Sequence, residues 1–447
     1  MPTPSLQDGI DTAGSAVNLL WKPGVAPWVL PVVEPEFAGW AAEQEAWRSG
    51  VALSDLSYHM SDTFFEGPDA TRLLQDVSAN NYENFAIGQA KQFVPVAYDG
   101  NIIVDGILLR ERENRYTLTG VPASQSWVKY FAAKGGYDVE FVTNADSSVR
   151  RDGDPAVFRY QIQGRHALEL VASAFGGPLP ETKFFHSTPA TLAGRPVRAL
   201  RHGMAGQAGY EFIGDYADHE AVKDALLTAG EQYDLVQVGG LAYLTNGVES
   251  GWIPTPTPAI YTDPQLADYR QSLSLFSYEG QKPLNGSFFS ENIEDYYISP
   301  WELGYGRSIS FNHDFIGRDA LQAAKAEVNR TKVTLEFNLD DVHAVFGAEP
   351  GRVLSYGRYR IETDSGLAGM TFYTANIAPV GTVLALSLID TEFATPGTEV
   401  TVVWGEHPGA GTDPNADLGF ARIRATVQPS PYDEFARTQY RKIAFVS

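Results

Sequence analysis

The sequence predicts an α+β protein whose last quarter is all-β, and three observations carry that reading. Through residue 325, strand-like runs alternate with helical periods, the pattern of antiparallel sheets with helices on one face. From residue 326 onward, strand-like runs follow one another between Gly, Pro and Asp turns, which predicts a barrel or jelly-roll-like domain. The chain has 447 residues, 44% of them hydrophobic and 12% aromatic, enough to bury more than one core.

Along the chain, residues 1–20 are polar and rich in Gly and Ser, and are expected to form a flexible N-terminal arm or one short helix. From Phe37 to Ser49, the apolar Phe37, Trp40, Ala41 and Trp47 fall at helical spacing, with Gln44 as a polar interruption. Val51–Phe65 reads as strand and Asp69–Val77 as a short helix headed by Asp69. Phe93–Leu109 reads as a hairpin turning at Asp99-Gly100, and Tyr116–Thr119 as the next strand. A helix over Trp127–Lys134 stops at Gly135-Gly136. Strands follow at Asp138–Val142, Phe158–Gln163, Val197–Arg201 and Tyr210–Ile213, with a helix over His219–Gln232. In the final domain the expected strands are Thr334–Phe337, Val353–Ser355, Val383–Ile389, Glu399–Trp404 and Phe420–Val427.

Composition excludes several classes of function. A formal charge of −22 repels phosphate backbones, and the Arg110–Arg115 cluster is interleaved with Glu111 and Glu113, so no nucleic-acid partner is expected. Cysteine is absent, which removes thiol catalysis, thiolate metal sites and disulfides together. Eight histidines lack HxxxH or HExxH spacing, and no metal site is expected. Without a long apolar run or a basic, apolar leader, the expectation is a cytoplasmic protein with no membrane partner.

The chemistry concentrates in Arg201-His-Gly-Met-Ala-Gly-Gln-Ala-Gly-Tyr-Glu-Phe212. Its glycines let the backbone turn tightly or approach a flat ligand. Glu211, set between Tyr210 and Phe212, needs hydrogen-bond donors if it points inward, and the two-donor edge of a pterin is one such partner. The plain alternative is a β-hairpin with a surface glutamate. The run resembles the R-x-G-Y-T-G-E-x-G-Y-E signature of the glycine cleavage T-protein (aminomethyltransferase) family, which binds tetrahydrofolate. Tyr160-Gln-Ile-Gln-Gly164, Gly247-Val-Glu-Ser-Gly251 and Phe315-Ile-Gly-Arg-Asp-Ala-Leu321 resemble that family's L-A-L-Q-G, L-R-L-E-A-G and F-I-G-R-E-A-L, in the same order. Within the family, Pro31–Phe37, Arg201–Gly206, Glu249–Pro254, Pro258–Tyr261 and Asn292–Tyr297 are similar to bacterial tetrahydrofolate-dependent aryl O-demethylases of the vanillate/3-O-methylgallate and syringate type.

The resemblance implies three domains around a central folate site. The first would be discontinuous, 21–150 and about 235–325, the second would span 151–234, and the barrel 326–447. It implies tetrahydrofolate as cofactor, bound by Glu211, Gln163 and the ring of Trp252. Tyr243 and His59 match the residues at the methyl-transfer centre; their plainer reading is a packed tyrosine and a structural histidine. T-proteins carry an Asp-Asp pair where this chain has Val104-Asp105, so glycine cleavage is disfavoured and Asp105 is expected as a turn or sheet-edge acid. Where the vanillate-type pocket is polar, this chain carries Val121 for an arginine, Leu56 for a glutamine and Leu30 for a tyrosine, beside Met60. A buried valine cannot compensate a carboxylate. The expected function is thus transfer of a methyl group from a neutral, methoxylated, lignin-derived aromatic to tetrahydrofolate. The alternatives are a formaldehyde lyase or hydroxymethyl transferase acting on a side chain of an aromatic dimer, and a non-catalytic folate-binding protein. The oligomeric state is left open.

Overall fold

The computed structural model describes residues 3–29, 31–150 and 153–442. Its architecture is three sheets. The first is antiparallel, with strands in the spatial order Ala90–Phe93, Gly106–Arg112, Arg115–Gly120, Ser61–Glu66 and Glu140–Asn144. The helices Ala70–Val77 and Pro122–Gly135 bring Leu73, Leu74, Val77, Trp127 and Val128 into one core with Phe65, Tyr116 and Leu118 of this sheet. The second helix begins at Pro122, earlier than expected, because proline's fixed φ suits a first turn; left-handed Gly136 ends it.

The second sheet runs Val236–Val238, Ala52–Asp55, Val157–Gln163, Gly209–Asp215, Arg195–Leu200, Ser187–Leu192. It therefore gathers strands from both sides of the 151–234 segment. One face, with Leu53, Tyr160, Ile162, Tyr210 and Phe212, packs against Leu170, Val222 and Leu226 of the helices Ala167–Ala174 and His219–Gly230. Side chains alternate along a strand, so the intervening Ser54, Arg159, Gln161, Gln163 and Glu211 turn to the opposite face. That face carries the candidate site.

The C-terminal sheet is a closed six-stranded barrel, as the sequence predicts. Its strands run Gly366–Ile377, Arg360–Thr363, Glu399–Trp404, Ala421–Gln428, Arg330–Phe337 and Thr382–Asp390, and the last pairs back to the first. Leu335, Ile361, Val383, Val402, Ile423 and Val427 fill it. The strand Gly366–Ile377 escapes a sequence reading because Gly366 and Gly369 look like turn residues. Gly369 is instead a close approach, since a Cβ there would overlap the Leu388 carbonyl oxygen.

Two local expectations change. Within the expected arm, residues 3–20 are not loose: helices at Leu6–Ala13 and Ala16–Leu20 bury Leu6, Val17 and Leu20. Ser5 and Asp8 form a reciprocal cap and Ser15 caps the second helix, signals that the polar composition hides. Val51–Phe65 divides into two strands in different sheets, and the turn between them carries His59. The Phe93–Leu109 hairpin forms as the sequence predicts, pairing at its base, Phe93 opposite Gly106, and again at its tip, Val96 opposite Ile102, with Asp99-Gly100 in the turn.

Candidate active site

The polar face of the second sheet is built around a buried cation. Arg159 donates from Nη1 to Glu211 Oε1 and from Nη2 to Asp62 Oδ1 at 2.9 Å and Thr119 Oγ1 at 3.2 Å. Burial works against the guanidinium, but Asp62 and Glu211 outweigh it and hold the arginine charged. Glu211 is thus inward-facing, as the glycine-rich run suggests, and is already half-satisfied within the protein. Among the described residues its second oxygen, Oε2, accepts only a long 3.5 Å bond from Gln161 Nε2.

Register explains the neighbours. Gln161 lies opposite Glu211, and Gln163 opposite Gly209, where a Cβ would overlap the Ile162 carbonyl oxygen. Gln161 and Gln163 use their amide oxygens to fix the Gly203–Gly206 turn, accepting from the N–H groups of Met204 (3.1 Å) and Ala205 (3.0 Å). The Gln163 Nε2 donor then has no partner among the described residues, although it is buried. A buried donor beside a carboxylate oxygen with spare lone pairs suits a flat heterocycle that presents both an acceptor and donors, as a pterin does.

His59 and Tyr243 are brought together from 184 residues apart: His59 Nε2 lies 2.6 Å from the Tyr243 hydroxyl. Burial first, and Arg159 second, push the His59 pKa down to about 3, so the imidazole is neutral at physiological pH. Burial and then Glu211 raise the Tyr243 hydroxyl well above the ordinary phenol range. His59 Nδ1 has no partner among the described residues. A tautomer with its proton on Nε2 leaves only a lone pair unsatisfied there. It donates to the Tyr243 oxygen and frees the tyrosine O–H to donate elsewhere.

Trp252 is half-buried, and its Nε1 donates to Asp105 Oδ2 at 2.9 Å. Asp105 is not the edge acid expected. It is 3% exposed, and Gln92 Nε2 (2.8 Å) and the Tyr305 hydroxyl (3.3 Å) also donate to Oδ2, while burial raises its pKa. It lies where the hairpin's ladder is interrupted between its paired base and its paired tip, and turns inward, where a sheet edge would have exposed it. Asp105 Oδ1 has no partner among the described residues.

Of the expected substrate-pocket residues, Leu56 is sealed in the core at 1% exposed. Met60 and Val121 are half-buried against the same core, and the pairing of Ser61 with Gly120 sets them side by side. Leu30 lies outside the described residues. Sequence reasoning missed Arg159, Asp62, Gln161 and Tyr305. The first and third were visible in principle, because Phe158-Arg-Tyr-Gln-Ile-Gln163 alternates apolar with polar residues and thereby points Arg159 to the same face as Gln163. Among the described residues there is no group of His, Asp or Glu suited to a metal ion, and no helix long and apolar enough to cross a membrane.

Residues 23–256 match the family described as the GCVT N-terminal domain. The chain is 38% identical to syringate O-demethylase of Sphingobium sp. (strain SYK-6), across 98% of this chain and 97% of the relative. It is 29% identical to sesamin methylene transferase of Sinomonas sp., across 92% of each. In three dimensions it is similar to glycine cleavage system aminomethyltransferase T from Bartonella henselae, with a TM-score of 0.63 over 93% of this chain and 94% of that one at 18% identity.

Proposed function

The chain belongs to the glycine cleavage T-protein family, and from that premise we propose that it is a tetrahydrofolate-dependent aromatic O-demethylase. The relative that demethylates syringate supports the reaction class. The observation that carries the reading is the 2.6 Å bond between neutral His59 and Tyr243, beside the Arg159–Glu211 pair.

Tetrahydrofolate, when bound, supplies a nucleophilic amine to accept the carbon. Glu211 Oε2 and Gln163 Nε2 are the polar atoms left to grip its pterin edge, and Trp252, oriented by Asp105, offers a ring face. Cleavage of the aryl ether leaves a phenolate that must gain a proton. With His59 donating to its oxygen, the Tyr243 O–H is free to donate a hydrogen bond to the developing phenolate oxygen, which takes its proton from water on release, while Arg159 contributes positive potential. Such a hydrogen-bond donor contributes about 10²–10³-fold.

The charges also support a neutral substrate. Arg159 is committed to Asp62 and Glu211, and Val121 supplies no cation where the vanillate-type pocket has an arginine. A second reading is favoured by one observation, the likeness to a sesamin methylene transferase. On that reading the same site moves carbon at the formaldehyde level, with free formaldehyde or methylenetetrahydrofolate as product. Incubation with tetrahydrofolate and paired acidic and neutral methoxyarenes, following methyltetrahydrofolate and formaldehyde together, tests both. Methyltetrahydrofolate from neutral arenes is the expected result. Formaldehyde alone transfers the assignment to the second reading, and comparable turnover of vanillate and guaiacol refutes the neutral-substrate clause.

A further inference from the structure

One buried donor at the methyl-transfer centre has no task in the reaction as described above. Asn246 is 4% exposed, and its Nδ2 has no partner among the described residues. Leaving a buried amide donor unpaired is costly, so such a group calls for a ligand or a role.

Its place follows from local structure. The short helices Gly240–Tyr243 and Asn246–Ser250 are joined by Leu244 and Thr245, both in the right-handed helical region, so the chain keeps turning between them. Residues three apart on such a backbone share a face, which sets the Asn246 amide beside the Tyr243 hydroxyl. Burial and then Glu211 raise the Tyr243 pKa, and Asn246 is the first group to oppose them, although the two do not meet in a well-formed bond. The turn is fixed from outside. The Leu244 carbonyl accepts from the Tyr373 hydroxyl, Thr245 Oγ1 from Gln44 Nε2 at 2.9 Å, and the Gly247 carbonyl from the Trp252 N–H at 3.0 Å. A Cβ on Gly247 would lie 3.0 Å from the Tyr373 ring, so the backbone there has little room to shift. The segment that presents Asn246 is thus tied both to Tyr243 and to Trp252, the ring assigned to folate.

We propose that Asn246 is a second catalytic donor to the leaving oxygen, completing with Tyr243 an oxyanion hole for the phenolate. The inference rests on the demethylase reading above and adds a second donor to it. As the ether carbon passes to the folate amine, the electron pair of the broken C–O bond stays on the aryl oxygen. The amine gives its proton to water, and the phenolate takes one from water on release. Charge therefore develops on a single oxygen in a buried place, where neutral donors already aimed at it stabilise it without reorganising. Tyr243 gives one hydrogen bond and Asn246 Nδ2 the other, while His59 occupies the tyrosine oxygen as acceptor and leaves its O–H available.

The test compares the native full chain with Asn246→Leu, of similar size but without the donor, and Asn246→Asp, which regains a donor only when its carboxyl is protonated. Two ethers of different leaving ability serve as substrates with tetrahydrofolate: guaiacol, and 5-nitroguaiacol, whose nitro group para to the methoxy stabilises the phenolate by itself. Asn246→Leu should lower kcat for guaiacol by about 10²–10³-fold and for 5-nitroguaiacol by about tenfold or less, with KM and folate affinity within about twofold of native. Relative to the native profile, the activity of Asn246→Asp should rise as the pH falls and its carboxyl gains a proton. Without tetrahydrofolate, the chromophore 4-nitrocatechol reports the same contact: the native protein should lower the pKa of the bound phenol, and Asn246→Leu should return it towards that of the free ligand. Thermal melts check folding, and the near-isosteric Asn246→Asp carries the comparison should the leucine variant fail to fold. An equal loss on both ethers, a loss confined to folate affinity, or a nitrocatechol titration that the substitution leaves unchanged overturns the inference. Ionisation of nitrocatechol that depends on Asn246, with no methyltetrahydrofolate formed by the native protein, removes the demethylase reading and leaves the oxyanion site standing.

Discussion

Arg159→Met removes the cation between Asp62 and Glu211 while keeping most of the aliphatic stem. Both acids are 2% exposed, so each loses its compensation in a place water does not reach. Breaking a buried pair in this way costs about 3–5 kcal/mol, more than the lost packing of a guanidinium. For domains of this size that lowers the thermal midpoint on the order of 10 °C. Replacing Glu211 as well, in Arg159→Met/Glu211→Gln, removes one of the stranded charges. The double variant should therefore be less destabilised than the sum of the two single variants, with a coupling of about 1–3 kcal/mol. The local field changes too: Arg159 helps to depress His59, so the imidazole should titrate higher in Arg159→Met, as followed by NMR of the ring protons. Thermal melts of the native, single and double variants supply the energies. A single-variant loss below about 1 kcal/mol, or strict additivity in the cycle, would refute the picture of one cation serving two buried acids.

Further outcomes follow from the same geometry. Tyr243→Phe should lower turnover by about 10²-fold or more with folate affinity nearly unchanged, whereas Glu211→Gln should weaken folate binding by about tenfold or more; equal effects of each substitution on both quantities would undo the division of roles. His59 is neutral in the folded protein down to about pH 3, whereas an unfolded imidazole binds its proton near pH 6.5. Stability should therefore fall as the pH drops through that window, by up to about 1.4 kcal/mol per pH unit from this group. His59→Phe should flatten the dependence of the thermal midpoint on pH between neutrality and mild acid, and an unchanged slope would count against a buried neutral imidazole. Gly209→Ala should destabilise the protein and loosen folate binding, because its Cβ would overlap the Ile162 carbonyl beside Glu211; a native-like melt would show that the strands there are not so closely paired.

The sequence by itself determined most of the stretches that become strands and which of their side chains share a face. The alternation in Phe158–Gln163 and Gly209–Ile213 sends Arg159, Gln163 and Glu211 one way and their aromatic neighbours the other, because successive strand residues point to opposite faces. The turn-punctuated C-terminal run was legible as a barrel for the same local reason. Tertiary structure alone decided the partners. Glu211 meets Arg159 from 52 residues away, and Arg159 meets Asp62 from 97. Asp105 turns inward onto Trp252, which lies 147 residues further along the chain. Periodicity fixes the direction of a side chain but not what waits there, since cross-strand register and the docking of distant segments choose the neighbour. The cluster of one cation between two buried acids exists only after that choice is made.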